Sequence, residues 1–142
     1  MNFRQGVTLG LAVMFLGSIA APAETVILGP NSKTEDLRNT YPAGSIWFIY
    51  GGKKTPNEVD FGFQGGATDF RVQRHRMNGP CELVMQEDGN LCIYVTKNHG
   101  FVWGSGSKGT GCKLVLEDDG VLAIVDSNHK TVWTAPDSHN SD

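Results

Sequence analysis

Two stretches of the chain are copies of one another, and this limits the available folds more than any other feature. Cys81–Tyr94 (CELVMQEDGNLCIY) laid without a gap over Cys112–Val125 (CKLVLEDDGVLAIV) matches at Cys, Leu, Val, Asp, Gly, Leu and Ile, seven of fourteen positions at an offset of 31 residues. After a slip of one residue the likeness resumes: Asn98-His99 and Val102-Trp103 in the first copy answer to Asn128-His129 and Val132-Trp133 in the second. A repeat of this length is one supersecondary unit that cannot bury its apolar face alone, so several units must share a core.

Each unit reads as strand, tight turn, strand, loop, strand. Leu83-Val84-Met85 and Leu91 to Val95 are β-favouring runs around Asp88-Gly89, and Asp119-Gly120 repeats the arrangement between Leu114-Val115-Leu116 and Leu122 to Val125. Asp-Gly between apolar runs is a strong hairpin signal. A third strand ends at Trp103 or Trp133, and a shared core around these rings asks for a third unit. The best candidate spans about residues 46–80 in degenerate form: Phe61-Gly62-Phe63-Gln64, Gly65-Gly66 and Phe70-Arg71-Val72 have hairpin character, while Ile46-Trp47 supplies a hydrophobe-Trp pair ahead of it. Trp47 is therefore expected to complete a ring of three core tryptophans, and Trp47→Ala to destabilise as much as Trp103→Ala. The intact units are 81–106 and 112–135. Upstream, Thr25 to Leu28 reads as a strand and Gly29-Pro30-Asn31 as a turn. Ser32 with Glu35 reads as a capping box for a brief helix ending before Pro42. The tail from Pro136 is polar and expected to fray.

The first residues read as a signal peptide over 1–23: Arg4, a short apolar run from Val7 to Ile19, then Ala21-Pro22-Ala23 as small residues at a cleavage site. Cleavage leaves a single domain, 24–142, with no later apolar run of membrane length, expected to be secreted or periplasmic. A formal net charge of −3 supplies no electrostatic reason to bind nucleic acid or an anionic membrane. The one basic cluster, Arg71, Arg74, His75 and Arg76, has no interleaved aromatic platform and reads as a solvated strand or turn.

Enzymatic chemistry finds little footing. Cys81, Cys92 and Cys112 have no Cys-x-x-Cys spacing, and the four histidines no His-x-x-x-His spacing, so neither a metal nor a cofactor is expected. Gly104 to Thr110 lacks the order of a phosphate loop and reads as a flexible linker. Glu117, Asp118 and Asp119 are neighbours on one turn with no partner across a cleft, which is the wrong arrangement for glycoside hydrolysis.

Gln86, Asp88, Asn90, Cys92 and Tyr94 fall on alternate positions, and in an extended chain alternate side chains share a face. Such a face joins an acceptor-only carboxylate, two amides that donate and accept, a small apolar group and a phenol, a set that suits sugar hydroxyls. Asp88 and Asn90 are equally the residues a tight turn favours, and spacing alone does not choose between the two roles.

At this point the chain resembles the monocot mannose-binding, bulb-type lectin family, whose signature Gln-x-Asp-x-Asn-x-Val-x-Tyr is met by QEDGNLCIY at four of five fixed positions, with Cys92 in place of Val. The likeness covers about residues 81–135. It implies an all-β protein, a type II β-prism of three pseudo-threefold related four-stranded antiparallel sheets with the N-terminal unit degenerate, binding mannose-type glycans without catalysis. It also implies that Asp88 and Asn90 hold the axial 2-hydroxyl, Gln86 the 3-hydroxyl and Tyr94 the 4-hydroxyl, with Cys92 against the ring carbons. In the second unit Glu117, Val121 and Val125 replace Gln, Asn and Tyr, and in the degenerate unit Gly66, Thr68, Phe70 and Val72 follow Gln64, so neither is expected to bind sugar. The family disulfide would join positions 89 and 112 here. Gly89 cannot supply it; with Cys92 as the nearest substitute the resemblance implies a Cys92–Cys112 bond, which would pull Cys92 away from the pocket floor, so that this pairing and an intact site compete. A single site per chain suggests homo-oligomers for avidity. The alternative is a lectin-fold module that has lost sugar binding and contacts a protein, as an inhibitor or toxin-like factor.

Overall fold

The computed structural model describes residues 23–49, 58–75, 79–136 and 139–141, the last as backbone, so the expected signal peptide lies outside the described residues apart from Ala23. Thirteen strands follow one another: β1 Glu24–Leu28, β2 Ser32–Thr34, β3 Leu37–Tyr41, β4 Gly44–Ile49, β5 Glu58–Gly65, β6 Thr68–His75, β7 Cys81–Met85, β8 Leu91–Val95, β9 Phe101–Gly104, β10 Lys113–Glu117, β11 Leu122–Val125, β12 Thr131–Thr134 and β13 His139–Ser141. They form three sheets, ordered β9-β8-β7-β2, β12-β11-β10-β1 and β13-β6-β5-β4-β3. Each repeat copy thus supplies three strands of a four-stranded sheet, and the fourth comes from the N-terminal segment.

Alternation decides which face of each sheet turns inward. Leu83, Met85, Leu91, Ile93 and Val95 of the first sheet, Leu114, Leu116, Leu122 and Ile124 of the second, and Ile46, Phe48, Val59, Phe61, Phe63, Phe70 and Val72 of the third all join one buried cluster. Where the three sheets converge, rings replace aliphatics. Trp103 and Trp133 lie 6.2 Å apart edge to face, and Phe70 lies 6.0 Å from Trp103 and 5.8 Å from Trp133. Phe61 is 6.1 Å from Phe70 and 6.2 Å from Trp103. Such pairs contribute about 0.5–1.5 kcal/mol each beyond the area they bury.

The third sheet and the N-terminal strands correct four expectations. Trp47 is not in the ring: it stands between Ile46 and Phe48, which both point inward, so its own side chain leaves on the opposite face. There it lies over Gly62 and donates its indole N–H to Asp60 at 3.1 Å. Phenylalanines 61 and 70 occupy the third place in the core instead. The sheet begins at Leu37, and β2 and β3 stand where the capping box suggested a helix; the Ser32 hydroxyl donates to the Gly29 carbonyl at 2.7 Å. It has five strands rather than four. Lastly, the tail supplies β13, which runs parallel to β6 at the edge where the other units place their Trp-bearing strand.

Each sheet carries a cross-strand ion pair on its outer face: Lys33–Glu82 at 3.2 Å, Lys113–Glu24 at 2.9 Å and Arg71–Asp60 at 2.6 Å. Arg71 meets Asp60 through both Nε and a terminal nitrogen, the fork geometry that makes such pairs strong. That contact and the His75–Glu58 pair at 3.3 Å commit much of the sequence's basic cluster internally; Arg76 lies outside the described residues.

The two environments predict different costs. Phe70→Ala, fully buried and touching Phe61, Trp103 and Trp133, should lower the unfolding free energy by about 3–5 kcal/mol. Trp47→Ala, which leaves Asp60 one donor short, should cost about 1–3 kcal/mol. Urea denaturation of the two variants measures both.

Candidate functional site

The β7–β8 connection gathers the polar residues of the first unit. The Gln86 N–H donates to the Asn90 carbonyl at 3.0 Å and the Gly89 N–H to the Gln86 carbonyl at 3.1 Å, so residues 86–90 close as a turn instead of continuing the strand. Gln86, Asp88 and Asn90 therefore converge around a bend, while Cys92 and Tyr94 reach the same outer face by alternation along β8. All five residues singled out from the sequence are brought together, three by turn geometry and two by strand geometry.

The turn is held by its own side chains. Asp88 Oδ1 accepts the Asn90 backbone N–H at 2.9 Å, and Gln86 Nε2 donates to both Asp88 oxygens at 3.0 and 3.2 Å. Tyr94 donates its hydroxyl to Gln86 Oε1. The backbone N–H of Asn90, and then the Gln86 amide, hold the Asp88 carboxyl below its ordinary range, so Asp88 is an anion.

Asn90 is oriented from behind. Its Oδ1 accepts from the Ser105 hydroxyl at 3.0 Å and from the Gly106 N–H at 2.8 Å. The Ser105 hydroxyl also receives the Leu91 N–H at 3.0 Å, and buried Ser107 donates to the Gly89 carbonyl at 2.7 Å. With its oxygen occupied, the Asn90 amide has its nitrogen left to donate; that nitrogen lies next to Gly104 and makes no hydrogen bond among the described residues. One hydroxyl group arriving there could accept from Asn90 and donate to Asp88, and a second could meet Tyr94. A shallow depression of about 390 Å³ opens at Gln86, Glu87 and Asp88.

Ser105 and Ser107 were hidden in the stretch that reads as a flexible linker. The segment is instead clamped across the turn: Gly109 N–H donates to the Asp88 carbonyl at 3.1 Å, and an added Cβ at Gly89 would lie 2.3 Å from the Gly109 nitrogen. Gly89, at φ 92°, is required twice over, by its backbone conformation and by this close approach. The only sequence signal for the clamp is the pair of serines spaced to face the same way.

The expected Cys92–Cys112 disulfide is absent; Cys81, Cys92 and Cys112 are all buried free thiols. Cys112 belongs to the shared core at the start of β10, whereas Cys92 lies on the outer face beneath the site, outside that core. The Cys112 sulfur packs against Gly109 rather than against Cys92. Burial pushes the Cys92 thiol up, with Asp88 acting in the same direction against a lowering contact from Tyr94, so it remains a neutral, weakly polar floor. Burial, with Glu82 nearby, takes Cys81 to about 11.

The second unit differs on its outer face. Val115, Ala123 and Val125 form a small buried apolar group with Val121 packed against it, at the positions matching Val84, Cys92, Tyr94 and Asn90. Its Asp119-Gly120 turn abuts the Gly66-Ala67 turn of the third sheet backbone to backbone, with Ala67 N–H on the Asp119 carbonyl at 3.2 Å. Burial first, then Asp119 and Glu24, raise the Glu117 carboxyl. On the third sheet Phe70 and Val72, aligned with motif positions by the sequence, point into the core and leave no motif-like set outside.

The three sheets form a β-prism that carries the Gln86–Asn90 turn on an outer face. Mannose-specific lectin 1 of Colocasia esculenta is 42% identical over 64 residues, which are 45% of this chain and 23% of that protein. Mannose-specific lectin of Aloe arborescens is 33% identical over 55 residues, 39% of this chain and 50% of that protein. The matches thus span between about a quarter and a half of these relatives' length. The native mannose-specific bulb lectin of Scilla campanulata aligns over 75% of this chain and 66% of its own, at 24% identity and TM-score 0.38; the prism itself is read from the sheets described above. No protein-family model matches the chain. Over a little less than half of its length the chain is thus similar to mannose-specific lectins.

Two outcomes follow from the turn and the thiols. Gly89→Ala should unseat the clamp and lower the melting temperature, read by circular dichroism. Mass spectrometry of the alkylated, unfolded chain should find three modified cysteines, and the native fold should protect all three against a thiol reagent.

Proposed function

We propose that the protein is an exported, non-catalytic carbohydrate-binding protein that recognises mannose-type glycans through one site per chain, formed by Gln86, Asp88, Asn90, Cys92 and Tyr94. The observation that carries this reading is the fixing of Asn90: Ser105 and Gly106 occupy its oxygen and leave its amide nitrogen to donate, two residues from an anionic Asp88 in the same turn. A sugar hydroxyl requires a donor and an acceptor together. The mannose-specific homologues support the choice of sugar. The apolar outer face of the second unit supports a single site.

Preorganisation reduces what binding must order, since Gln86, Asp88 and Tyr94 already hold one another. A shallow single site favours multivalent glycan surfaces over free monosaccharide. Export rests on the sequence of residues 1–23. Among the described residues no helix is long and apolar enough to cross a membrane.

Glycan arrays test the reading. Wild type should light mannose-terminated glycans, Asn90→Ala should lose them, and Asp119→Ala in the second unit should keep them. Mannose signals absent from wild type, or indifferent to Asn90→Ala, would overturn it in favour of a protein-binding module. Acid supplies a further check. Because the folded Asp88 pKa is depressed, the carboxylate persists below the ordinary aspartate value of about 3.9. Calorimetric titration with methyl mannoside should therefore show binding that survives to that pH and falls only as Asp88 takes up its proton, whereas an unshifted acid would lose half its affinity there. Amino-terminal sequencing of protein recovered outside the cytoplasm should begin near Glu24.

A further inference from the structure

Beside the polar turn stands a group of rings that the five-residue site does not use. The His99 imidazole lies flat on the Tyr94 ring, 4.6 Å between centroids and 6° between planes. Phe101 meets the same Tyr94 ring edge to face at 6.1 Å. Both outer rings are open to solvent: Phe101 is 65% exposed and the His99 side chain 70%. Behind them is Glu82, its side chain only 4% exposed, with one carboxylate oxygen 3.8 Å from His99 Nδ1 and the other 3.2 Å from Lys33 Nζ. The imidazole thus has a ring on one face and an acid at its edge, and its remaining face looks outward.

A large apolar side chain in that position calls for an explanation. Phe101 and Trp103 are two apart in β9, and regular alternation would send both into the core. A register shift intervenes: Phe101 pairs with Tyr94, but Trp103 pairs with Ile93. Bulges of this kind re-aim side chains, and here the phenyl ring is turned out of the core to stand beside Tyr94. The second unit is an internal control, because it carries the same shift, with Thr131 opposite Val125 and Trp133 opposite Ile124. There the re-aimed residue is an exposed threonine and its neighbour a valine. The fold therefore accepts a polar residue at this point. The Tyr–Phe pair accompanies only the unit that keeps the polar turn, although His99 and His129 occur in both.

We propose that His99 and Phe101, backed by Tyr94, form a second subsite: an aromatic shelf that receives the sugar residue next to mannose in a glycan chain. Sugar rings present C–H faces that lie on aromatic rings, and covering an exposed phenyl group removes apolar area from water. The shelf is continuous with the proposed mannose site through Tyr94, so a ring placed over Asp88 and Asn90 has its neighbour over His99 and Phe101. This rests on the mannose reading and extends it from a monosaccharide to a disaccharide unit. Tyr94 belongs to both subsites, whereas Phe101 belongs to the second alone.

Phe101→Thr, which copies the second unit, is the discriminating variant. Calorimetry or competition binding should compare methyl α-mannoside with a mannobiose on wild type and variant. The expected result is a preference of wild type for the disaccharide and a loss of about fivefold in its affinity in Phe101→Thr, with methyl mannoside affinity unchanged within about twofold. His99→Ala should weaken the disaccharide in the same sense. Equal affinities for the two sugars, both indifferent to Phe101→Thr, would overturn the shelf and leave the mannose site standing. Failure of wild type to bind either sugar would overturn both. Sedimentation of the two proteins closes the remaining route: a wild-type dimer that Phe101→Thr converts to monomer would assign the exposed ring to self-association and overturn the shelf.

Discussion

A sheet with one apolar face has to cover it, and none of the three sheets here has enough partner surface of its own. They close on one another around Phe61, Phe70, Trp103 and Trp133, rings that meet at 5.8 to 6.2 Å where the sheets converge. That closure is the constraint on which the rest depends. It uses every inward position of the central strands, which is why a residue adjacent to an inward one, such as Trp47 between Ile46 and Phe48, is forced outside. It also frees the three outer faces from any part in filling the core. The outer faces can then diverge between units while the inner faces stay alike.

The hairpin turns are the second point at which backbone meets backbone. Gly66 and Gly120 bring the third and second sheets together so closely that an added Cβ at either would lie 2.4 Å from the other's Cα. Gly89 approaches Gly109 in the same manner. The turns are equivalent in the repeat, but their partners are not. The second unit's turn spends its Asp119 carbonyl on Ala67, whereas the first unit's turn is crossed by the segment carrying Ser105 and Ser107. That segment orients Asn90, so the polar turn is built by a contact outside the repeated hairpin itself. A polar group on a loop gains the fixed geometry a binding site needs only when a second layer of hydrogen bonds holds it.

The cysteines show the same dependence on surroundings. Cys92 behaves as an apolar residue, because burial, with Asp88 acting in the same direction, keeps its thiol protonated. Gly89 and Gly109 leave no room for a bridge at the turn, and hydrogen bonds from Ser107 and Gly109 connect the same two segments instead. The outer face of the first sheet is thus organised as one continuous series: the polar turn, the neutral sulfur floor, Tyr94, and the exposed rings of His99 and Phe101.

Much was legible from residue order alone. Leu83-Val84-Met85 and Leu91 to Val95 around Asp88-Gly89 specify a hairpin from local preference, and the second copy repeats the unit, so the strands, the shared core and the alternation of Gln86, Asp88, Asn90, Cys92 and Tyr94 all follow from short-range pattern. The faces and partners did not follow. Phe70 was aligned with motif positions because the third hairpin's turn length is invisible without its pairing, and one residue of register exchanges inside for outside. The strand at Ser32, the parallel tail strand, the serine clamp and the separation of Cys92 from Cys112 each depend on a segment distant in the chain. By itself the sequence determined which residues alternate, which turn, and which are able to bind a hydroxyl, since these properties are local. Only the tertiary structure decided which side of each sheet faced water and what stood behind Asn90, because closing three sheets on one core is a condition no single segment can satisfy or reveal.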